Sequence, residues 1–364
     1  MADLQDELRT TAEACETVPA APAAAAAPPD RPEQARALLA AHPVADGHSG
    51  LPSVLRHLPW YDPDSDPDGS ADIADLADVP RLGDCPVGAI FWSLRLPAHI
   101  PRVTATLEQL DLVRTVVETH PEALSLVLTA SESADARSHG RTAVVLGPAP
   151  AGALGDSLGV LRALHRIGLR VVTLAGTSWA GEQGLNRFGE EVLREMNRIG
   201  VLADLSGASD ATIRRALTVS RTPVVCTRSA ARALRDHPDN LCDDLLARLG
   251  AAKGLCMVPL AVEQTGASVR DVADHLDHVR RLAGPECVGL SGTYDPRAVH
   301  PDAADPSCCP NLVVELLERG WPESDIALLT WGNVQRVLRS AEFRAREARQ
   351  RREGALGRIG ELDG

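Results

Sequence analysis

The stretch Val201-Leu-Ala-Asp-Leu-Ser-Gly207, Ser209-Asp-Ala-Thr212 and Thr222-Pro-Val-Val-Cys-Thr-Arg228 holds one complete unit of the fold. An apolar run, short enough for a buried strand, ends in a polar tip with glycine. Ser209 then stands where a helix N-cap belongs, its hydroxyl free to accept from a first-turn backbone N–H. A second apolar run follows and ends at Thr227-Arg228. Strand, helix and strand in that order call for a parallel pair joined by a helical crossover.

The same unit recurs along the chain. Its runs are Val44–His48, Val87–Leu96, Thr142–Gly147, Val171–Gly176, Val201–Gly207, Thr222–Arg228, Gly254–Leu260 and Cys287–Tyr294. Amphipathic helices lie between them. Thr104–Thr119 places Leu107, Leu110, Val113 and Val117 on one face. Ser157–Ile167 does so with Leu158, Leu161 and Leu164, and Asn186–Ile199 with Phe188, Val192, Leu193 and Met196. Ser268–Leu282 is a further helix. Eight alternations predict the α/β class and a TIM-like (β/α)8 barrel. An open doubly wound sheet would need a switch-point glycine motif, and no G-x-G-x-x-G follows the first run. In such a barrel the chemistry belongs at the strand tips, here Asp46-Gly-His-Ser-Gly50, Gly147-Pro-Ala-Pro150, Ala175-Gly-Thr177, Asp204-Leu-Ser-Gly207, Cys226-Thr-Arg228 and Ser291-Gly-Thr-Tyr-Asp295.

At 364 residues and 44% apolar content the chain can bury a large core, built from Leu, Val, Ala and Ile because aromatics are only 3%. The net charge of −13 argues against nucleic acid and anionic membrane as partners. Residues 1–32 read as an Ala/Pro-rich disordered tail, 33–341 as the barrel and 342–364 as a charged C-terminal helix and tail with a solvated face. Met1–Pro19 is acidic and lacks a hydrophobic run, so a cytoplasmic location is expected. Lys253 is the only lysine and lies at the start of a run, away from the tips, which excludes most lysine chemistry. Cys226, Cys256 and Cys287 fall in runs and Cys85 just before one, where a thiol acts as a small hydrophobe; the pair Cys308–Cys309 reads as a reduced loop. His275 and His278 read as packing or surface residues, and His237 as a loop residue.

Several segments together carry a family likeness. They are Pro43-Val-Ala-Asp-Gly-His48 with Leu51-Pro52, Gly88-Ala-Ile-Phe-Trp-Ser93, Thr106-Leu-Glu-Gln-Leu-Asp111, Phe188-Gly, Arg194-Glu-Met-Asn-Arg198, Asp204-Leu-Ser, Ser209-Asp-Ala-Thr212, Ser229-Ala-Ala-Arg-Ala-Leu234, Asp236-His-Pro238, Asp274-His-Leu-Asp-His-Val279 and Trp331-Gly-Asn333. Over Leu38 to Arg339 the chain resembles the membrane (renal) dipeptidases of the metallo-dependent hydrolase superfamily, binuclear zinc peptidases on a TIM-like barrel. The resemblance implies a metal-ligand set at the tips, and the sequence departs from it. His48 stands at a ligand position. Gly50 takes the place of an aspartate, Ala149 of the bridging glutamate, Gly207 and Arg228 of two histidines, and Thr293 of a second aspartate. Gly176 replaces the histidine that polarises the substrate carbonyl. Arg232 still matches a substrate-carboxylate-binding arginine.

Zinc needs three or four N, S or O⁻ donors at about 2.0–2.3 Å. Glycine and alanine offer none, and a guanidinium repels a dication. The expectation is therefore that no cofactor is held and that dipeptide hydrolysis is lost. The chain would act as a pseudoenzyme partner or as a peptide- or carboxylate-binding protein through Arg232 and Arg228. It would form a homodimer or a heterodimer with an active paralogue, since the family's barrels pair. One alternative is a metal-independent enzyme on a small peptide-like or amide substrate, with His48 as the candidate catalytic residue. Another is a residual dipeptidase recruiting His99, His139, Cys308 or Cys309. Arg228 is expected either to pair with Asp46, Asp204 or Asp295 in place of the lost cations, or to form an anion site with Arg232.

Overall fold

A computed structural model describes residues 30–52, 86–96, 100, 102–292, 309–351, 353–354 and 359–362. The Ala/Pro-rich stretch up to residue 29, Cys85, His99, Thr293, Tyr294, Asp295 and Cys308 lie outside the described residues.

The strands in chain order are β1 (Val44–Ser49), β2 (Val87–Trp92), β3 (Leu124–Leu126), β4 (Thr142–Leu146), β5 (Ala149–Pro150), β6 (Val171–Thr173), β7 (Ala180–Gly181), β8 (Gly184–Leu185), β9 (Leu202–Asp204), β10 (Val225–Cys226), β11 (Leu255–Pro259) and β12 (Val288–Ser291). The main sheet runs β3-β4-β2-β1-β12-β11-β10-β9-β6-β5, and each of its recorded pairings is parallel. Its ends meet, because β4 and β5 are two halves of the single segment Thr142–Pro150. β4 pairs with β2 and β5 with β6, and the Arg170 N–H donates to the Leu146 carbonyl at 2.9 Å across the same seam. The result is the TIM-like barrel that the eight runs predict.

The seam depends on Gly147. Its φ is +117°, and a Cβ there would stand 2.6 Å from the Val171 carbonyl oxygen on β6. Only glycine lets the segment leave one neighbour and reach the other. β3 sits outside the ring against β4, within the β2-to-β4 crossover, and β7–β8 is a short antiparallel hairpin. Neither has a long apolar run, which is why periodicity alone does not reveal them.

The helices form where their caps predict. α1 (Arg31–Ala41) leads into β1. α2 (Arg102–Thr119) and α3 (Ala130–Ser138) belong to the β2-to-β4 crossover. α4 (Leu158–Arg166), α5 (Arg187–Ile199), α6 (Asp210–Val219), α7 (Asp243–Ala251) and α8 (Val269–Ala283) follow successive strands. Ser157, Asn186, Ser209 and Ser268 each accept from a first-turn N–H, and Ser268 with Asp271 forms a capping box. On α2 the predicted face is buried at Leu110, Val113 and Val117 but not at Leu107. Leu107 is 46% exposed, while Thr106 and Gln109 are buried beside Leu110, Val113, Val116 and Val117. Gln109 accepts from the Arg95 N–H at 2.9 Å and donates to the Arg95 carbonyl, and these bonds turn a polar residue inward.

Two layers of apolar contact hold the barrel. Ala45, Phe91, Val145, Val171, Leu202, Val225 and Met257 pack together with Trp331, Val334 and Val337. Val44, Ile90, Val144, Val172, Ala203, Cys226, Val258 and Leu290 pack instead against the surrounding helices. α9 (Cys309–Glu318) and α10 (Glu323–Ala327) precede a π-helical turn at Leu328–Gly332, and α11 (Asn333–Arg351) closes the end where the strands begin. Cys309 is buried in the first turn of α9 rather than in a loop. Arg336 donates to the carbonyls of Lys253, Gly254 and Glu286. Past Ala341, α11 is bound to the barrel as well as solvated: Glu342 accepts from the Ala130 N–H at 2.6 Å, and Arg349 donates to the Ile199 carbonyl at 3.1 Å.

Replacing Gly147 by alanine should lower the urea midpoint with an unchanged slope, a loss of about 2–4 kcal/mol from the positive φ and the contact with β6. A midpoint equal to that of the parent protein would show that the seam tolerates a side chain.

Candidate ligand site at the barrel mouth

The strand tips gather Asp46, His48, Ser93, Asp204, Ser206, Thr227 and Arg228. Asp46 and Asp204 are buried, and both serve the backbone. Asp46 Oδ1 accepts from the N–H groups of His48 at 2.9 Å and Gly292 at 2.8 Å, tying the end of β1 to that of β12. Asp204 Oδ1 accepts from Thr227 N at 2.8 Å, Ser206 N at 3.2 Å and Ser206 Oγ at 2.8 Å, and Oδ2 accepts from Thr173 Oγ1 at 2.6 Å. Its carboxylate thus joins β6, β9 and β10, and these N–H and O–H dipoles satisfy its buried charge.

His48 follows from β1 and its Nδ1 shares a 2.6 Å hydrogen bond with Ser93 Oγ at the end of β2. Burial first, then the Arg228 and Arg95 guanidinium groups, push the imidazole pKa down to about 3, so the ring is neutral at physiological pH. Ser93 itself is 4% exposed, which suits a group that orients the ring better than one that attacks a substrate.

Arg228 is positioned through its backbone. Its N–H donates to Ser206 Oγ at 2.9 Å, and its carbonyl accepts from Gln264 Nε2 at 3.4 Å. The ion pair recorded for its guanidinium is with Asp239, Nη2 to Oδ2 3.9 Å, and not with Asp46 or Asp204, whose carboxylates are already engaged by the groups above. Asp295, the other expected partner, lies outside the described residues. Asp239 also fills the place above Gly207. Gly207 has φ +67°, and a Cβ there would stand 3.3 Å from Asp239 Oδ1. Where the resembled family carries a histidine, this chain has a glycine and a carboxylate from a later loop.

Arg232 is engaged. Its Nη2 lies 3.1 Å from Asp210 Oδ1, and its Nε donates to the Asn240 carbonyl at 2.8 Å. The buried Asn240 in turn accepts from the Ala230 N–H at 3.0 Å and donates to the Gln264 carbonyl at 2.9 Å. Asp239, Asn240 and Gln264 escape sequence reasoning because each acts on a group ten or more residues away, Arg228, Ala230 and Arg228 in turn, and belongs to no motif. His275, on α8, is 2% exposed and accepts from the Ala231 N–H at 3.1 Å, so it packs as expected. Its partner on the helix, His278, is bonded to Asp243 at 2.8 Å. His237 accepts from the Asp239 N–H in the loop. Lys253 is at the far end of the barrel with Glu286 at 2.7 Å, and His139 caps α3 at that same end, away from the tips. Gly50 and Ala149 are buried and bring no donor side chain.

Burial first, then neighbouring His278, lowers the His275 pKa to about 4, against opposing contributions from Asp274 and the Thr265 backbone and a lowering one from Arg235. The unfolded chain takes up this proton below about 6.5 and the folded chain only near 4, so the stability is complete above pH 6.5 and falls as pH drops toward 4. The loss from this residue should be about 2–3 kcal/mol in urea titrations, with His165 and His48 adding in the same direction. His275→Asn keeps an acceptor for the Ala231 N–H and removes the titration, so its stability should decline less steeply with acid. An unchanged slope would exclude His275 as a source.

Comparison with known proteins sets this mouth in context. The family model for membrane dipeptidases, peptidase family M19, matches residues 32–352. Dipeptidase 3 of Mus musculus is 36% identical over 348 residues, 89% of this chain and 68% of the relative. Dipeptidase 3 of Homo sapiens is 37% identical over 339 residues, 87% of this chain and 68% of the relative. Among solved structures, the probable dipeptidase PvdM from Pseudomonas aeruginosa superposes with a TM-score of 0.72 at 19% identity, covering 86% of this chain and 99% of that one. A metallo peptidase from Rhodobacter sphaeroides, liganded with a phosphinate mimic of the dipeptide L-Ala-D-Ala, gives 0.70 at 22% identity, covering 82% and 99%.

These matches correct the expectation that no cofactor belongs here, because the family is one of metal-dependent peptidases and the Rhodobacter protein is a metallo peptidase. The side chains at hand still do not make a donor set. Among the described residues no group of three or more His, Cys, Asp or Glu is placed to hold a metal ion. His48 stands beside Gly50, Ala149, Gly207 and the cationic Arg228, a set that does not fit zinc. Among the described residues no helix is long and apolar enough to cross a membrane. With a barrel of the right topology, the first-strand Asp46-Gly-His48 tip and a family match over most of its length, this chain belongs to the membrane dipeptidase family, peptidase family M19.

Proposed function

We propose that this dipeptidase-family protein binds a small peptide-like ligand by its carboxylate at the barrel mouth and has lost the family's dipeptide hydrolysis. The observation that carries the reading is Arg228. Its guanidinium is about one-third exposed, and Asp239, at 3.9 Å, is beyond hydrogen-bonding reach. The planar donor fork therefore remains available for a ligand carboxylate. Arg232 supports the loop that carries Asp239; a ligand carboxylate there would have to replace Asp210. Loss of hydrolysis is supported by the tips themselves, where glycine, alanine and arginine stand in place of groups that could activate water.

A second reading, a metal-independent enzyme on a peptide-like or amide substrate, is favoured by the Ser93–His48 contact of 2.6 Å. A residual dipeptidase is the third. Pairing with a second copy or with an active paralogue completes the proposal, and the native mass of the purified protein reads it directly. A reducing, cytoplasmic setting goes with this reading, and among the described residues Cys226, Cys242, Cys256 and Cys287 stand as thiols.

Titration with N-acetyl-L-alanine, which has a carboxylate and no ammonium, should show saturable binding that Arg228→Ala weakens at least about tenfold. Turnover of a dipeptide panel together with stoichiometric zinc would overturn the reading in favour of a peptidase. Turnover without metal that His48→Ala abolishes would establish the second reading instead.

A further inference from the structure

A second cleft opens beside the mouth, where the tips of β5 and β6 lead into the following loops. It has a volume of about 610 Å³. One wall is Arg102 and Val103 at the start of α2, another is the turn from Gly152 to Asp156, and the third is Gly176 to Ser178. The cleft exists because side chains are missing. A Cβ built at Gly176, the position where the family resemblance calls for a histidine, meets no atom within 4 Å. At Gly152 a Cβ would collide with the Arg102 side chain, which packs against the glycine.

Two opposite charges line the cleft. No protein acceptor is recorded for the Arg102 guanidinium among the described residues. Asp156 is held in the left-handed region, φ +53°, and its Oδ1 accepts from the Trp179 indole N–H at 2.7 Å, leaving Oδ2 without a recorded donor among the described residues. Arg102 and Asp156 do not pair with each other. Both line the one cleft: the Arg102 side chain rests on Gly152, and Asp156 stands two residues beyond the 3-10 turn Ala151–Leu154 that contains this glycine. A lone anion would leave Asp156 unmatched, and a lone cation would leave Arg102 unmatched.

We propose that this cleft is a binding site for a free α-amino acid, with its carboxylate on Arg102 and its ammonium on Asp156. A free amino acid carries both charges on one carbon and so presents one to each wall of the cleft, whereas a carboxylate or an amine alone answers only one of them. The site is separate from Arg228 and does not depend on the reading of the mouth.

The experiment is calorimetric titration of the full-length protein with L-alanine, accompanied by tryptophan emission, since Trp179 is bonded to Asp156. The expected result is saturable binding with a change in emission. Propanoate and ethylamine should each bind at least about tenfold more weakly, and Arg102→Ala and Asp156→Asn should each cost at least about tenfold. Asparagine tolerates the left-handed backbone, so Asp156→Asn should keep its melting temperature; if it does not, Arg102→Ala and the three small ligands decide. L-Alanine should bind equally well in the presence of saturating N-acetyl-L-alanine, so failure at one site leaves the other readable. The proposal is overturned by absence of saturable binding, by propanoate binding as well as L-alanine, by indifference to Arg102→Ala, or by preference for L-alanyl-L-alanine.

Discussion

The buried carboxylate of Asp204 receives hydrogen bonds from Thr173, Ser206 and Thr227, and so fastens three neighbouring strands at the mouth of the barrel. Parallel strands end there with their last backbone groups unpaired, and short apolar runs cannot satisfy them. Asp204 and Asp46 do so from within the chain. The consequences reach further than stability. Ser206, held by Asp204, receives the Arg228 N–H, so the arginine proposed to bind ligand is placed by a bond two residues from the strand tie.

The charge pattern around that tie differs from the one a metal would need. Asp204 already accepts dipolar hydrogens on both oxygens. Asp239, lying over Gly207, answers the Arg228 charge at a distance that is attraction rather than a hydrogen bond. The family's chemistry is metal-dependent, while the described positions matched to its ligands offer a guanidinium, two glycines, an alanine and one neutral imidazole. A carboxylate recognised by arginine is consistent with both the inherited position of the mouth and its altered charge.

The eight strands of the barrel are legible in the sequence because each is an apolar run buried on both faces, and the helices because their serine and asparagine caps precede periodic leucine and valine. Leu107 shows where that legibility stops. By period it belongs inside with Leu110, Val113 and Val117, but at this end of the helix Gln109, bonded to the Arg95 backbone, and Thr106 are buried while Leu107 is exposed. β3 and the β7–β8 hairpin are too short to generate a period at all.

The sequence by itself determined the barrel, its family and the identity of the residues at each tip, since those follow from local pattern and from side-chain type at matched positions. The tertiary structure decided how those residues are used. It put Asp239 rather than Asp46 or Asp204 opposite Arg228, engaged Arg232 with Asp210, and opened a cleft between Arg102 and Asp156. These place together charged groups from separate loops, and the course of the folded chain, not residue spacing, decides which of them meet.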